Sequence, residues 1–327
     1  MDTTLAAPSS LGTPRSLASR RPRFRRDDPP PIRLTDDDIA IIRHVAEHRF
    51  LRSTHVIALL DRPAKKILER LAALYHNAYL DRPRAQLDYY ATAGSAPYVY
   101  ALGNKGAALL TERYGTTTAN VDWTDKNRTA GRVFIEHTLM IADFMVALES
   151  AVRRRSDLEL IHPTAILAGA PSQTRRAQNP WKLSATINHP GGSSYEIGII
   201  PDKVFGLDFT QARKRSYFFL EADRATMPVA RSNPKQTSFN QKIYAYLAGG
   251  GSRNTHGTHF GVGNFRVLTI TTSPQRMETM WLAQKAATKG DGSRQLLFAD
   301  YTKLRSCPDV LSLEWKNGKG ELVRLGQ

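Results

Sequence analysis

Cysteine is almost absent from this chain: Cys307 stands alone among 327 residues. A single thiol forms no intrachain disulfide and assembles no cysteine-based zinc site, so Cys307 reads as a structural residue in a reducing, cytoplasmic setting. Long apolar runs are also missing, and none approaches the length of a bilayer span, so no membrane association is expected. The arginines near the start are followed by no apolar stretch, which argues against a secretory signal. The glycines of "LAGGGSRNTHGTHFGVGN" do not follow a strand and open a helix. They read as a flexible connection, not as a phosphate-binding loop. Acidic residues are short in number, 30 Asp and Glu against 46 Lys and Arg, for a formal charge of +16. Such a surplus favours a polyanionic partner, because cationic side chains release the counterions condensed on phosphates. The plainer alternative is a solvated basic surface.

With 41% hydrophobic residues, the chain is long enough for about two domains with real cores. Residues 1–33 mix Arg, Ser and Pro with little to bury and read as a disordered basic arm. Order is expected from "LTDDDIAIIRHVAEHRFL". There Thr35 and Asp38 have capping-box spacing, and Ile39, Ile42 and Val45 mark a helical stripe. A second helix is expected to start at Ser53. A third runs through "AKKILERLAALYHNAYL", with Ile67, Leu71 and Leu74 inward and Lys65, Lys66 and Arg70 away from that stripe. "YLDRPRAQLDYY" and "YVYALG" read as a β-hairpin carrying Arg82 and Arg84, and a short helix follows from Asn104 to about Tyr114. Three short helices and a hairpin form the pattern of a winged helix-turn-helix over residues 34–114. Its third helix would enter the major groove of double-stranded DNA, and its hairpin would touch the backbone. A small helical domain that binds protein is the competing reading.

Residues 115–130 are polar and read as a linker, and residues 131–327 as an α/β (α+β) domain that opens with a long helix in "RVFIEHTLMIADFMVALESAVRRR". Strands are expected near 158–168, 181–187, 194–200, 216–222 and 265–271, with helices near 237–248 and 274–288. Small strands near 296–299 and 310–325 would finish the sheet.

Within this half, Pro201-Asp202 is read as closing one strand and Glu221-Ala222-Asp223 the next. Strand alternation sends Phe219, Glu221 and Asp223 to one side, and Asp202 reaches that side if the two strands pair. Glu136 on the long helix is a possible fourth carboxylate, and Lys242 on the following helix could stabilise charge on a phosphate. Converging carboxylates are what Mg2+ or Mn2+ requires, with the ion polarising a phosphodiester. Acidic strand ends that pair with Arg224, Lys203 or loop arginines are the alternative. His44, His48 and His55 show no ligand spacing backed by a fourth donor and read as surface residues. His137, beside Glu136, reads as a hydrogen-bonded core histidine, with a metal ligand as the alternative.

In order and spacing, "LTDDDIAIIRHVAEHRFLRSTHVIALL", "IEHTLMIADFMVAL", "PDKVF", "FFLEADRAT" and "QKIYAYL" resemble the replication-relaxation family of bacterial plasmids and mobile elements. The resemblance implies a DNA-binding accessory protein of plasmid replication, DNA relaxation or conjugative mobilisation, working beside a relaxase or a replication initiator, with a homodimer as one arrangement. The C-terminal half separately resembles the restriction-endonuclease-like fold, whose signature is Pro-Asp, then Asp or Glu, any residue, and Lys. Pro201, Asp202 and Glu221 match it, and Glu136 matches the acidic position on that fold's first helix. Asp223 stands where the lysine belongs, and Lys242 is placed to replace it. A metal-dependent endonuclease or nickase is therefore one alternative function, and a transcriptional regulator another.

Overall fold

The structure, a computed structural model, describes residues 24–86, 97–188, 194–229, 238–251 and 253–327. Residues 1–23 of the expected arm and residues 87–96 of the expected hairpin lie outside these.

Helix α1 (Asp36–His48) begins where its cap dictates. Thr35 Oγ1 accepts from the Asp38 N–H, and Asp38 Oδ2 accepts from the Thr35 N–H at 2.7 Å. A two-residue strand β1 (Leu51–Arg52) leads into α2 (Ser53–Leu60), which ends on Asp61 in the left-handed region (φ 52°, ψ 50°). That turn and Pro63 start α3 (Ala64–His76). Strands β2 (Leu80–Asp81) and β3 (Val99–Leu102) follow, and β3 lies centrally, antiparallel to both β1 and β2. Helix α4 (Asn104–Tyr114) closes the unit. Its Gly106 is required by a close approach, since a Cβ there would stand 2.2 Å from the Tyr79 carbonyl oxygen. Ile41, Ile42, Val45, Val56, Leu59, Ile67, Leu71 and Leu74 form the core, as the helical stripes require.

Two expected boundaries move. Residues 24–33 run along α3, where Arg25 donates to the Leu80 carbonyl (3.1 Å) and Asn77 donates to the Pro30 carbonyl (3.1 Å). The segment expected to be a linker contains a 3-10 turn and helix α5 (Trp123–Arg128). Asn104 caps that helix through the Trp123 N–H (2.7 Å). Its polar residues satisfy backbone groups, and Trp123 packs against the first core.

Helix α6 (Arg132–Arg153) belongs to both halves. Ala142 and Val146 enter the first core, while Met140, Phe144, Met145 and Leu148 pack on a large sheet. The order along that sheet is β12 (Leu322–Val323), β11 (Trp315–Asn317), β10 (Leu296–Asp300), β9 (Arg266–Thr271), β8 (Lys214–Asp223), β7 (Lys203–Phe209) and β4 (Leu158–Ile161). β8, β9 and β10 run parallel, and the other pairings are antiparallel. On β8, Phe218, Leu220 and Ala222 face α6. Phe219 faces the opposite layer, built from α9 (Phe239–Gly249), α11 (Pro274–Ala287) and a separate hairpin of β5 (Leu183–Asn188) and β6 (Ser194–Ile199). The whole is a mixed α+β fold with helices on both sheet faces.

Several expectations change here. The strand expected over 158–168 stops at Ile161, because Pro163 starts helix α7 (Pro163–Gly169). Pro201-Asp202 does not close the strand before it. That strand ends at Ile199 in the small hairpin, and Asp202 stands just ahead of a separate strand, β7. The glycine-rich connection holds α10 (Thr255–Phe260), with Phe260 buried. The final stretch expected as strand holds a 3-10 turn at Val310–Ser312 before its two short strands. Among the described residues no helix is long and apolar enough to cross a membrane.

Candidate functional site

β7 and β8 pair antiparallel, and the Asp202 N–H donates to the Leu220 carbonyl at 3.0 Å, which brings Asp202 beside the end of β8. Its Oδ2 accepts from the Ala222 N–H (2.8 Å), and its Oδ1 lies 3.2 Å from His137 Nε2 on α6. Glu221, 2% exposed, faces α9, where Lys242 Nζ donates to Oε2 and Tyr246 Oη to Oε1, each at 2.5 Å. Lys242 is partly exposed and lines an open groove with Tyr195, Ile197, Ser238 and Gln241. Asp202, Glu221 and Lys242 therefore meet at the carboxyl end of a parallel strand, the position where open α/β sheets place ligands.

Complete burial pushes the Glu221 carboxyl up to about 7, and the adjacent Asp202 charge adds to this. The Lys242 ammonium opposes the rise without cancelling it. Burial also pushes Asp202 upward, but the His137 hydrogen bond and the Lys242 charge outweigh it and hold Asp202 below the usual range. The bond to Asp202 raises His137 in turn. Lys242 is partly desolvated, yet the two carboxylates raise its pKa and keep it charged.

The other two acidic residues are committed elsewhere. Glu136 accepts from Arg132 Nε (2.9 Å) and from the Arg224 guanidinium. Asp223 lies on the Glu221 side of β8, as alternation requires, but Arg276 grips it twice (2.9 and 3.0 Å) and Thr271 Oγ1 donates to it at 2.8 Å. Arg224, one of the partners that the alternative reading offers to Glu221 and Asp223, binds Glu136. As arranged, this donor set does not suit Mg2+. That ion takes converging oxygen ligands around an octahedron, and among the described residues these carboxylates do not bring three ligand oxygens together.

The basic candidates divide in the same way. Lys65 and Lys66 are exposed on the first turn of α3, and Arg84 is exposed beyond β2. Arg70 is turned inward, with Nε donating to Asp38 Oδ1 at 2.7 Å and Nη2 to the other oxygen, on a carboxylate that is fully buried. Arg82 is packed among the rings of Tyr75, Tyr98 and Tyr100, 4.1, 4.2 and 5.1 Å from their centroids. These two residues hold the unit together and do not project from it.

Sequence reasoning favoured a core role for His137 and passed over Tyr246. Tyr246 follows Lys242 by one helical turn, a spacing that places both on one face of α9. His48 and His55, expected at the surface, are buried. His55 Nε2 lies 2.7 Å from Asp143 Oδ1 on α6, an ion-pair partner that also accepts from Arg52 (2.5 Å) and from Tyr301.

The replication-relaxation family model matches residues 42–261, more than half of the chain. The chain belongs to the replication-relaxation family. Membership supports a role connected with replication and relaxation. The matched span contains α2, α3, the strand-end cluster and α9 together. Comparison with curated proteins and with solved structures finds no match.

Proposed function

We propose that the chain is a DNA-binding accessory protein of plasmid replication or mobilisation, docking α3 on duplex DNA. The observation that carries this is the first turn of α3. Lys65 and Lys66 stand exposed there, on the side away from buried Ile67, Leu71 and Leu74. The order α1, β1, α2, α3, β2, β3 supports a winged helix, in which the third helix reads the major groove. The charge of +16 supports a phosphate partner. A relaxase or replication initiator would act beside it.

The endonuclease reading rests on the meeting of Asp202, Glu221 and Lys242. The commitment of each carboxylate to a partner within the chain weighs against it and favours a scaffold without cleavage. One experiment separates the two: incubate supercoiled plasmid with the purified protein, with and without Mg2+ or Mn2+, and run the products on a gel. Retardation of uncut plasmid that weakens by orders of magnitude between about 50 and 200 mM salt is the expected result. Metal-dependent nicking abolished by Asp202→Ala would establish the nuclease instead. Salt-insensitive or absent retardation would remove DNA as the partner.

A further inference from the structure

Helix α1 carries His44, Glu47 and His48 at positions i, i+3 and i+4, so all three lie on one face. One ligand atom from each lies within 4.8 Å of the others. This face turns towards α6, where Glu149 approaches: His48 Nε2 and Glu149 Oε1 are 3.0 Å apart, with both side chains at least nine-tenths buried. Yet neither atom has a hydrogen-bond partner. An imidazole nitrogen and a carboxylate oxygen this close, buried and unaligned, leave two polar atoms unsatisfied in a dry place. Two ligands of one metal ion have this relation. With metal–ligand distances of about 2.0–2.2 Å in a tetrahedron, neighbouring donors sit roughly 3.3 Å apart and point at the ion, not at each other.

We propose that His44, Glu47 and His48, with Glu149 beside His48, bind a zinc-type divalent ion where α1 packs on α6. Imidazole and carboxylate donors suit Zn2+ and exclude a preference for Mg2+, and histidines four residues apart on a helix are a recurrent way of holding zinc. Glu47 is bonded to His162 Nδ1 at 3.2 Å. The outer bond from His162 to Glu47 is of the kind that orients metal ligands. Lys203 and Arg153 are the competing cations. Lys203 Nζ is directed to the Glu47 carbonyl at 3.4 Å and not to its carboxylate. Because α6 also carries the sheet, the ion would fix the α3 surface relative to the strand-end site, a role independent of any chemistry at Asp202.

The test uses the full chain, stripped with EDTA and titrated with Zn2+ against a chromophoric chelator. One ion per chain with micromolar or tighter affinity is expected, together with an intense tetrahedral spectrum when Co2+ replaces zinc. His48→Gln and Glu149→Gln should each weaken binding by at least the ~10–100-fold that follows loss of a supporting residue. Asp202→Asn should bind zinc like the parent. Binding no tighter than millimolar, or unchanged in both ligand variants, overturns the proposal. Should those variants fail to fold, X-ray absorption on the zinc-loaded parent decides: two imidazoles around the ion support the site, and none refutes it.

Discussion

The first turn of α3 and the carboxyl end of β8 are both rich in charge, and they hold that charge in opposite ways. Lys65 and Lys66 are exposed, and their charge is free to meet an external partner. At the strand end Glu221 faces Lys242, Asp202 faces His137, Asp223 faces Arg276 and Glu136 faces Arg224. Exposed charges in water contribute little to stability and much to the attraction of a polyanion. Buried pairs contribute to the integrity of the fold through the penalty of separating them. Substitutions in the two regions should therefore move different observables.

The largest effect is expected from Lys242→Met or Glu221→Ala, each of which breaks the buried pair. Removing one partner of such a pair typically costs about 3–5 kcal/mol. The two should not be equal. With Lys242 gone, Glu221 can take up a proton, because burial already holds it near 7, whereas loss of Glu221 also strips Tyr246 of its acceptor. Glu221→Ala is expected to be the more damaging in urea unfolding at pH 6. A neutral result for both would show that the cluster is open to solvent and belongs with the α3 surface.

Next comes the charge reversal of Lys65 and Lys66 to Glu. If each lysine neutralises one phosphate, duplex affinity should fall by more than about tenfold, and the salt dependence should drop by about two units of slope. Fluorescence anisotropy at several salt concentrations reads both quantities, while the unfolding midpoint should stay put. Affinity that survives the double reversal would move the interface off α3.

Arg70 sharpens the contrast, because it lies on the same helix as these lysines and yet belongs to the buried class. Arg70→Ala leaves the Asp38 carboxylate without its guanidinium, with only the α1 cap to hold it. A loss of about 1–3 kcal/mol is expected, with little change in DNA affinity per folded molecule. The reverse pattern, stable protein with weakened binding, would make Arg70 a DNA contact after all.

Local pattern reached a good part of this. The α1 cap, the apolar stripes of α1 to α3 and the alternation on β8 follow from spacing over a few residues, whereas Asp202 comes beside Glu221 through β7 and not through the strand expected to carry it. Strand β7 escaped because Pro201-Asp202 reads as closing the strand expected over 194–200, and only pairing with β8 on one side and β4 on the other makes 203–209 a strand of the main sheet. Side-chain partners escaped more thoroughly. Arg276 reaches Asp223 across 53 positions, and His55 reaches Asp143 across 88. Such pairings depend on how helices pack, which no periodicity encodes. The burial of His48 and His55 has the same origin, since α6 covers α1 and α2.

The smallest effect concerns pH. Between the ordinary glutamate value of 4.5 and about 7, the folded protein holds the Glu221 proton more tightly than the unfolded chain does. This contribution is therefore fully present below about 4.5 and is lost as pH rises through 7. The raised His137 works in the same direction, contributing below 6.5 and fading above it, whereas the lowered Asp202 contributes only above 3.8 and is constant across the range. From pH 5 to 8 the site should thus reduce stability by about 1–3 kcal/mol relative to Glu221→Gln, which has no proton to lose. Unfolding midpoints for both proteins across that range test it, and parallel curves would mean that Glu221 titrates like an exposed carboxylate. The same series run for DNA affinity should show no matching difference between the two proteins, because Glu221 is buried at the strand end while Lys65 and Lys66 are exposed on α3.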